Sequence, residues 1–181
     1  VAVEEGFASW SLLSAKLGDA SPAAKLLAQF REGDLVLVAA RPGQGKTLLC
    51  LELALEAMKA GSRSTFFTLE YTAKESEARL RDIGADTDAL LRLEVDTSDH
   101  ICAEYISSRL SKAERGTFVV VDYLQLLDQR RDTPLVEAQV RALKSLASEK
   151  GLILVIISQV DRSYDPAVKP IPGPEDVRLP N

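Results

Sequence analysis

The stretch that decides the fold is the nine-residue segment Ala39-Ala40-Arg41-Pro42-Gly43-Gln44-Gly45-Lys46-Thr47. It follows an apolar run at residues 35–38 and precedes a helical run at residues 48–58. A strand, a glycine-containing loop and Lys-Thr at a helix start form the arrangement that binds the phosphates of a nucleoside triphosphate. Backbone N–H groups and the positive end of the helix dipole both favour an anion there. The segment therefore predicts a phosphate-binding loop.

Two side chains of this loop have a defined chemistry in a site of that kind. We expect the ammonium group of Lys46 to reach the β- and γ-phosphates and the hydroxyl of Thr47 to bind Mg²⁺. The predicted nucleotide-binding residues as a set are Arg41, Pro42, Gly43, Gln44, Gly45, Lys46, Thr47 and Leu48. A chance glycine turn between a strand and a helix is the alternative interpretation. The Gly-Lys-Thr sequence, in register with both flanking elements, argues against it.

One position departs from the standard phosphate-loop pattern. That pattern has a glycine five residues before its second glycine, and the residue at this place is Ala40. The chain can still turn through Pro42 and Gly43. We therefore interpret the segment as a variant of the loop.

The elements outside the loop alternate between strands and helices. Apolar or β-branched runs predict strands at residues 35–38, 65–69, 91–95, 117–121 and 152–157. Helical periodicity, capping residues and terminal glycines predict helices at residues 22–30, 47–60, 72–83, 98–110 and 133–151. This alternation, with nearly continuous apolar strands, is typical of a mostly parallel sheet with helices on both faces. We predict an α/β fold of that architecture.

The sequence divides into three segments. We predict a helical arm at residues 1–32, an α/β core at residues 33–160 and an extended or mobile tail at residues 161–181. Five prolines fall between Pro166 and Pro180, and no core pattern is left in that stretch. A chain of 181 residues is long enough to bury one full core.

Composition and charge narrow the class of protein. Hydrophobic residues make up 46% and charged residues 27% of the sequence, as is ordinary for a soluble globular protein. The net charge of −5 argues against a large basic surface for nucleic acid, although it leaves room for a small local one. No apolar run approaches the ~20 residues of a membrane helix, and the N-terminus lacks a basic-then-apolar signal pattern.

Cysteine and histidine are scarce. Cys50 and Cys102 both fall in apolar helical patterns and predict buried thiols, which fits the reducing cytoplasm. We therefore expect a cytoplasmic location. The single histidine, His100, leaves little scope for a histidine-rich metal site or for histidine-based catalysis.

Polar side chains follow three of the predicted strands. Glu70, Asp122 and Gln159 stand at the carboxyl ends of their strands. Because ligands of open parallel sheets bind beyond the carboxyl ends of the strands, we expect these residues to meet the phosphate loop at one edge. Asp122 is then placed to hold Mg²⁺, Glu70 to polarise the attacking water, and Gln159 to bond the γ-phosphate or that water.

Each of these roles has a structural alternative. Asp122 can cap the loop that follows its strand, and Glu70 can be an exposed residue ahead of a helix. Gln159 can be a structural amide that bonds a neighbouring loop. The position of Asp122 beside Lys46 and Thr47 favours the metal role, and Lys46 has no comparable alternative.

Four segments of the chain resemble the RecA-type motor domain of the DnaB-like replicative helicases. They are Ala39-Ala40-Arg41-Pro42-Gly43-x-Gly45-Lys46-Thr47, Phe67-Thr68-Leu69-Glu70, Val121-Asp122-Tyr123-Leu124-Gln125-Leu126 and Ile157-Ser158-Gln159-Val160-Asp161-Arg162-Ser163. Their order and spacing agree with that family across residues 33–164. The alanine at position 40 is itself what the family shows, so the departure from the standard loop supports the resemblance.

The resemblance implies a RecA-like P-loop NTPase fold, ATP hydrolysis with Mg²⁺, and hexameric rings that move along single-stranded DNA. It implies that Glu70 is the catalytic carboxylate, Asp122 the metal-binding acid and Gln159 the sensor of hydrolysis. The family contacts the DNA backbone from the position of residues 128–132, so Arg130 and Arg131 are possible DNA contacts. A solvated turn is the alternative there, because Asp128 and Asp132 flank the two arginines.

Two parts of the family pattern have no match in this sequence. They are the N-terminal helical domain for primase contacts and the basic finger that completes a neighbour's ATP site. Arg162 and Arg178 are candidates to act across an interface. Two alternatives to a helicase-type ATPase therefore stay open. One is an ATPase or ATP-binding switch that acts on protein partners without unwinding DNA, and the other is a nucleotide-binding module with little turnover.

Overall fold

The computed structural model of the chain describes residues 2, 3, 6, 7, 20–123, 127, 134–161, 164, 167, 169, 173 and 176. Within these residues, seven strands form one sheet in the spatial order β2-β1-β3-β7-β6-β4-β5. The strands are β1 (Ala2–Val3), β2 (Gly6–Phe7), β3 (Leu35–Ala40), β4 (Ser64–Thr68), β5 (Leu93–Asp96), β6 (Phe118–Asp122) and β7 (Ile153–Gln159). Five neighbouring strands, β3, β7, β6, β4 and β5, pair in parallel. Strands β1 and β2 add an antiparallel hairpin at the edge beside β3.

Helices join the parallel strands. They are α1 (Pro22–Leu27), α2 (Lys46–Lys59), α3 (Ala73–Asp82), α4 (Thr87–Leu90), α5 (Ala103–Arg109) and α6 (Val136–Lys150), with a 3₁₀ turn at Leu110–Lys112 after α5. Their ends follow the expected local chemistry. Ser21 caps α1, a capping box between Thr72 and Glu75 opens α3, and Gly151 ends α6 with a φ of 67°.

The sheet has a hydrophobic core on each face. Successive residues of a strand point to opposite faces, and in β6 the side chains of Phe118 and Val120 join one core while Val119 and Val121 join the other. Helices α1, α2, α3 and α4 contribute to the first core, and α5 and α6 contribute to the second. All five residues of β6 are buried, as expected for a central parallel strand covered on both sides. The predicted α/β fold with helices on both faces is confirmed.

The strand order brings the predicted site residues to one edge. Strand β7 lies between β3, which leads into the phosphate loop, and β6, which ends in Asp122. Ala40 at the end of β3 is level with Gln159 on β7, and Asp122 is level with Thr68 on β4. The carboxyl ends of four strands therefore meet where a ligand of an open α/β sheet binds.

The prediction of a helical arm at residues 1–32 is wrong at its first described residues. Residues 2, 3, 6 and 7 form the two strands of the edge hairpin, where Ala2 is level with Leu37 of β3. Addition to an existing edge satisfies backbone groups that an isolated short strand would leave to solvent. The helical part of the prediction agrees with the structure at α1.

Several predicted boundaries also need correction. Helix α1 ends at Leu27 rather than Phe30, and β7 extends to Gln159 rather than Ile157. Helix α5 begins at Ala103 rather than Ser98, because the sulfur of Cys102 caps it by accepting a hydrogen bond from the N–H of Tyr105 at 3.4 Å. Cys102 is half-buried rather than buried, whereas Cys50 is fully buried as predicted, and both thiols are free. Helix α6 begins at Val136 rather than Thr133, and β5 covers Leu93–Asp96 rather than residues 91–95.

The tail prediction concerns residues 161–181, of which only a few are described. Asp176 connects those few: its backbone carbonyl accepts from the N–H of Asp161 at 2.7 Å, and its carboxylate accepts from Lys169 and from the N–H of Gly173, each at 2.6 Å. These bonds lower the pKa of Asp176, with the Lys169 contact as the largest cause. In the described residues, no helix has the length and apolar character to cross a membrane.

Candidate nucleotide-binding site

The phosphate loop between β3 and α2 turns on two glycines. Gly43 and Gly45 have φ values of 75° and 76°, in the left-handed region that side chains with a Cβ rarely adopt. A Cβ at either position would meet no atom within 4 Å, so the backbone conformation, rather than space, requires glycine. Gly45 is the N-cap of α2, and Lys46 and Thr47 are its first residues. The loop thus directs the N-terminus of a 14-residue helix toward the strand ends.

A cleft of about 330 Å³ lies above this edge of the sheet. Its walls combine the loop, the start of α2, the ends of three strands and one side of α3. The lining residues are Pro42, Gly43, Gly45, Lys46, Thr47, Leu48, Leu51, Glu70, Tyr71, Arg79, Asp122, Tyr123, Ile157 and Gln159. The structure therefore brings most of the predicted site residues into one cavity.

Thr47 and Asp122 are in direct contact. The hydroxyl of Thr47 donates a hydrogen bond to Oδ2 of Asp122 at 3.0 Å. Asp122 is only 1% exposed, at the end of the fully buried strand β6. Burial raises the pKa of Asp122 to about 6, and the charge of Glu70 adds to this effect, while the Thr47 bond and the charge of Lys46 oppose it. Oxygen atoms of both side chains thus converge in a place that stabilises a cation.

The ammonium group of Lys46 bonds to the loop itself. Its Nζ donates a hydrogen bond to the backbone carbonyl of Arg41 at 2.9 Å. Partial burial lowers the pKa of Lys46, and the carboxylates of Asp122 and Glu70 act in the opposite direction. The ammonium is therefore attracted to both acids of the cleft. In the described part of the chain it forms no close ion pair with either of them.

Glu70 stands at the rim of the cleft. It follows β4 by two residues, is exposed, and its backbone N–H donates to the hydroxyl of the buried Thr68 at 3.0 Å. This bond fixes the backbone just beyond the strand, while the carboxylate is open to solvent. An exposed carboxylate at a cleft that also contains Lys46 and Asp122 has access to water, which a general base needs.

Gln159 is the last residue of β7 and lines the same cleft. It is half-buried and is level with Ala40, the residue before the phosphate loop. Because β7 separates β3 from β6, the amide of Gln159 lies between the loop and the strand of Asp122. The sequence placed Gln159 at the correct edge, but only the strand order shows that it lies between these two groups.

Arg41 and Gln44 differ from the other predicted loop residues, because they do not line the cleft. Arg41 places its guanidinium 5.7 Å from the ring centre of Tyr164 and donates a hydrogen bond to the Tyr164 carbonyl at 2.5 Å. The side-chain oxygen of Gln44 accepts from the N–H of Arg41 at 3.0 Å. In this structure the two side chains therefore bond to other parts of the chain and are not directed into the cleft.

The predicted DNA contacts Arg130 and Arg131 lie outside the described residues. The structure does describe how both flanks of their segment are held. The buried amide of Gln139 donates to the carbonyls of Leu127 and of Pro134 and accepts from the N–H of Ala103 at 3.0 Å. One side chain of α6 thus connects the two flanks to the start of α5.

Sequence reasoning missed Tyr71, Arg79 and Tyr123 as residues of the cleft. Arg79 lies in a polar, exposed helix, and the sequence pattern of this helix does not indicate which of its faces is turned toward the cleft. Its guanidinium stacks on the face of the Tyr71 ring, 4.2 Å from the ring centre. The sequence offered one indication of this position, the spacing from the predicted helix cap. Arg79 follows Thr72 by about two helical turns, and it lines the same cleft as Glu70.

A phosphate loop whose threonine contacts a buried acid, at the carboxyl edge of a parallel sheet, defines the P-loop class of ATPase domains. The chain belongs to the AAA domain family, whose model matches residues 12–169. Within that class it is a RecA-like ATPase domain of the DnaB-like kind.

Curated relatives agree with this assignment. The chain is 28% identical over 188 residues to the replicative DNA helicase DnaB of Geobacillus stearothermophilus, covering 85% of this chain and 41% of the relative. It is 26% identical over 179 residues to a probable plasmid replicative DNA helicase of Chlamydia trachomatis, covering 81% and 40%. The chain thus spans about two fifths of the length of these relatives.

Two solved structures share the fold. One is a DnaB-like replicative helicase studied with its interactions with primase, with a TM-score of 0.68, 23% identity, and coverage of 82% of this chain and 44% of that one. The other is a separately solved ATPase domain, with the same score and identity and coverage of 65% of that chain. The RecA-like architecture predicted from the motifs is confirmed.

Proposed function

We propose that this domain binds ATP with Mg²⁺ and hydrolyses it. The observation that carries the proposal is the Thr47–Asp122 hydrogen bond of 3.0 Å at the start of α2, in the same cleft as Lys46 and Glu70. A hydroxyl and a buried carboxylate at a helix N-terminus match the chemistry of a phosphate-bound magnesium site. The backbone of the loop and Lys46 would bind the phosphates.

The donor set fits Mg²⁺. Magnesium prefers oxygen ligands and keeps several waters, so one carboxylate, one hydroxyl and phosphate oxygens suffice. In the described residues no group of three or more histidines, cysteines or acids gathers at one place, so an all-protein cage is not available there. Thr47 and Asp122 would hold the ion, which when bound neutralises charge that develops on the phosphates.

The chain's own residues divide the remaining work. Lys46 would exchange the carbonyl of Arg41 for phosphate oxygens, because a charged partner binds an ammonium more strongly than a neutral carbonyl does. Glu70 would orient and polarise the attacking water from the rim of the cleft. Gln159, at the end of β7 between the loop and β6, would form a hydrogen bond to the γ-phosphate or to that water. Hydrolysis would then change this contact at the end of β7.

The proposal extends to what hydrolysis drives. We propose coupling to single-stranded DNA or to a helicase-type assembly of several copies, in the cytoplasm. The names of the relatives support this, since they are replicative DNA helicases, and the two free thiols suit a reducing compartment. The segment with Arg130 and Arg131, whose flanks Gln139 holds, is the candidate DNA contact.

A second candidate is an ATPase or ATP-binding switch that acts on protein partners without unwinding DNA. The observation in its favour is the net charge of −5, because DNA backbone binding relies on clustered basic residues. The nucleotide chemistry of this candidate is the same. The two differ only in what the nucleotide cycle controls.

ATP turnover with and without a single-stranded oligonucleotide distinguishes these functions. A DNA-coupled ATPase is expected to be stimulated by the oligonucleotide, less so at high salt, and an Arg130→Ala/Arg131→Ala variant is expected to lose the stimulation. Turnover that is indifferent to DNA at all salt concentrations would support the protein-partner candidate. A sizing measurement with and without nucleotide would show whether copies assemble.

A further inference from the structure

The amino edge of the sheet, at the opposite end of the strands from the nucleotide cleft, carries a row of basic side chains. The cleft lies at the carboxyl ends of the parallel strands, so the turns that precede β7, β6, β4 and β5 lie at the other end. Each of these turns is basic. The cations are Lys150 before β7, Lys112 and Arg115 before β6, Arg63 before β4 and Arg92 before β5. We call these five residues the amino-edge row.

Contacts between the turns bring the first three cations together. The Nζ of Lys150 donates a hydrogen bond to the carbonyl of Ser111, the residue before Lys112, at 2.8 Å. The guanidinium of Arg115 lies over Gly151, where an added Cβ would be 2.7 Å from its Cζ. Lys150 therefore lies beside both of the cations that precede β6.

The other two cations continue the row along the edge. The N–H of Phe118 in β6 donates to the carbonyl of Arg63 at 2.9 Å, and the N–H of Ser64 in β4 donates to the carbonyl of Arg92 at 2.9 Å. The guanidinium of Arg92 donates to the carbonyl of Gly61 at 3.1 Å, in the turn that carries Arg63. Because four neighbouring strands begin here, three strand spacings make the row roughly 14 Å long.

The row is positive in a chain that is negative overall. Its five cations have three acids beside them, Glu32, Glu114 and Glu149, whereas the whole chain has a net charge of −5. Glu32 pairs with Arg115, with 2.8 Å between Oε2 and Nη2. The positive charge of the domain is therefore concentrated where it favours an anionic partner.

Three cations of the row have no carboxylate partner in the part of the chain that the structure describes. They are Arg63, Arg92 and Lys112, and all three are exposed. A cation near the end of a helix complements the helix dipole, which accounts for Lys150 in the last turn of α6. Arg63 and Arg115 belong to no helix. Helix ends therefore do not explain the row as a whole.

The chemistry of the row fits a polymer that carries a charge on each of its units. Guanidinium groups make up three of the five cations, and they bind phosphate through two parallel N–H bonds. Arginine and lysine contact the phosphates of nucleic acids without regard to base sequence. We propose that the amino-edge row binds the phosphate backbone of a nucleic acid, as a contact separate from the segment of Arg130 and Arg131. This inference deepens the proposed coupling to DNA and does not depend on the nucleotide cleft.

The test measures the binding of a fluorescent oligothymidylate to the whole chain by anisotropy, without nucleotide and at several salt concentrations. Arg63→Ala/Arg92→Ala is expected to weaken binding at low salt about tenfold. It is also expected to reduce the slope of log affinity against log salt concentration by about 1.4, because each phosphate contact on a single strand contributes about 0.7. Arg63→Lys/Arg92→Lys keeps both charges and is expected to keep the slope, with an affinity within about threefold of the wild type.

Lys74→Ala/Arg141→Ala is the matched control. It removes the same two charges from exposed positions on α3 and α6, outside the amino-edge row. It is expected to keep the slope and to leave the affinity within about twofold of the wild type. If Arg63→Ala/Arg92→Ala fails to fold, Arg63→Gln/Lys112→Gln takes its place, with the same expected change in slope.

The outcomes separate this inference from the proposed function. A row variant with the affinity and slope of the wild type, or a control that loses as much, would overturn the assignment of the row. Unlabelled polyglutamate that displaces the probe as well as unlabelled oligothymidylate does would overturn the choice of nucleic acid and point to an acidic protein segment. A wild type that does not bind the probe at low salt would overturn this inference alone, because ATP binding and DNA-free turnover still test the proposed function. A wild type that binds the probe through the row but does not bind ATP would support this inference and overturn the proposed function.

Discussion

The hydroxyl of Thr47 and the carboxylate of Asp122 are joined by a hydrogen bond of 3.0 Å, although 75 residues separate them in the chain. They belong to α2 and β6, two elements that are not consecutive, and β6 is not a neighbour of the strand that leads into the phosphate loop. The contact therefore depends on the complete order of the parallel strands. It links the phosphate-binding end of α2 to the buried acid of the cleft.

Lys46→Ala tests the phosphate-binding role of the loop. We expect it to lower the affinity for Mg²⁺-ATP by at least about 100-fold, because the loop loses its charged contact to the phosphates. Lys59→Ala, at the exposed far end of the same helix, is the control and is expected to bind as the wild type does. Calorimetric titration measures both, and equal affinities for the two variants would remove Lys46 from the site.

Asp122→Asn tests the electrostatic cost of the buried acid. Because burial raises the pKa of Asp122 from 3.8 to about 6, the folded protein binds a proton more tightly than the unfolded chain does. The resulting stability is present below pH 3.8 and is lost as the pH rises through about 6. In nucleotide-free protein with a chelator, the asparagine variant should therefore be more stable than the wild type at pH 7.5, by about 1–3 kcal/mol.

Denaturant unfolding at pH 4.5 and pH 7.5 measures this effect. The advantage of Asp122→Asn should shrink at the lower pH, where the wild-type carboxyl is protonated. The same variant should lose Mg²⁺-dependent strengthening of ATP binding. A variant that is less stable than the wild type at pH 7.5, with no pH dependence of the difference, would contradict the assigned cause.

Gln139→Leu tests the connection that holds the segment between β6 and α6. The substitution preserves the size of the side chain but leaves the N–H of Ala103 and the carbonyls of Leu127 and Pro134 without this partner. We expect a loss of about 2–3 kcal/mol in the free energy of unfolding, because buried polar groups lose their hydrogen bonds. Gln29→Leu, at an exposed position after α1, should change it by less than about 0.5 kcal/mol.

The architecture and the main polar residues of the cleft follow from local sequence signals. Continuous apolar strands require burial on both faces, and residues at the carboxyl ends of parallel strands must share one edge. These two rules are sufficient to bring Glu70, Asp122 and Gln159 to the phosphate loop. They do not determine the order of the strands, which depends on pairing between distant segments.

The features that were not predicted from the sequence also have physical causes. Tyr71 and Arg79 carry no apolar periodicity, so the direction of their side chains is set by how α3 packs through Ser76 and Leu80. The strand at Ala2–Val3 is too short to be recognised without the edge of β3 beside it. The start of α5 was missed because a cysteine sulfur, a weak acceptor, is an unusual helix cap.

Glu70→Gln tests the central claim most directly, because it separates ATP hydrolysis from ATP binding in one residue at the rim of the cleft. The measurement is steady-state ATP turnover with Mg²⁺, together with the affinity for ATP, in the wild type and in this variant. We predict that turnover falls by at least about 100-fold while the affinity changes by less than about threefold, because the carboxylate acts on the attacking water and not on the bound phosphates. Equal turnover by the two proteins would contradict the assignment of Glu70, and a wild type that hydrolyses no ATP under any of these conditions would contradict the proposed function itself.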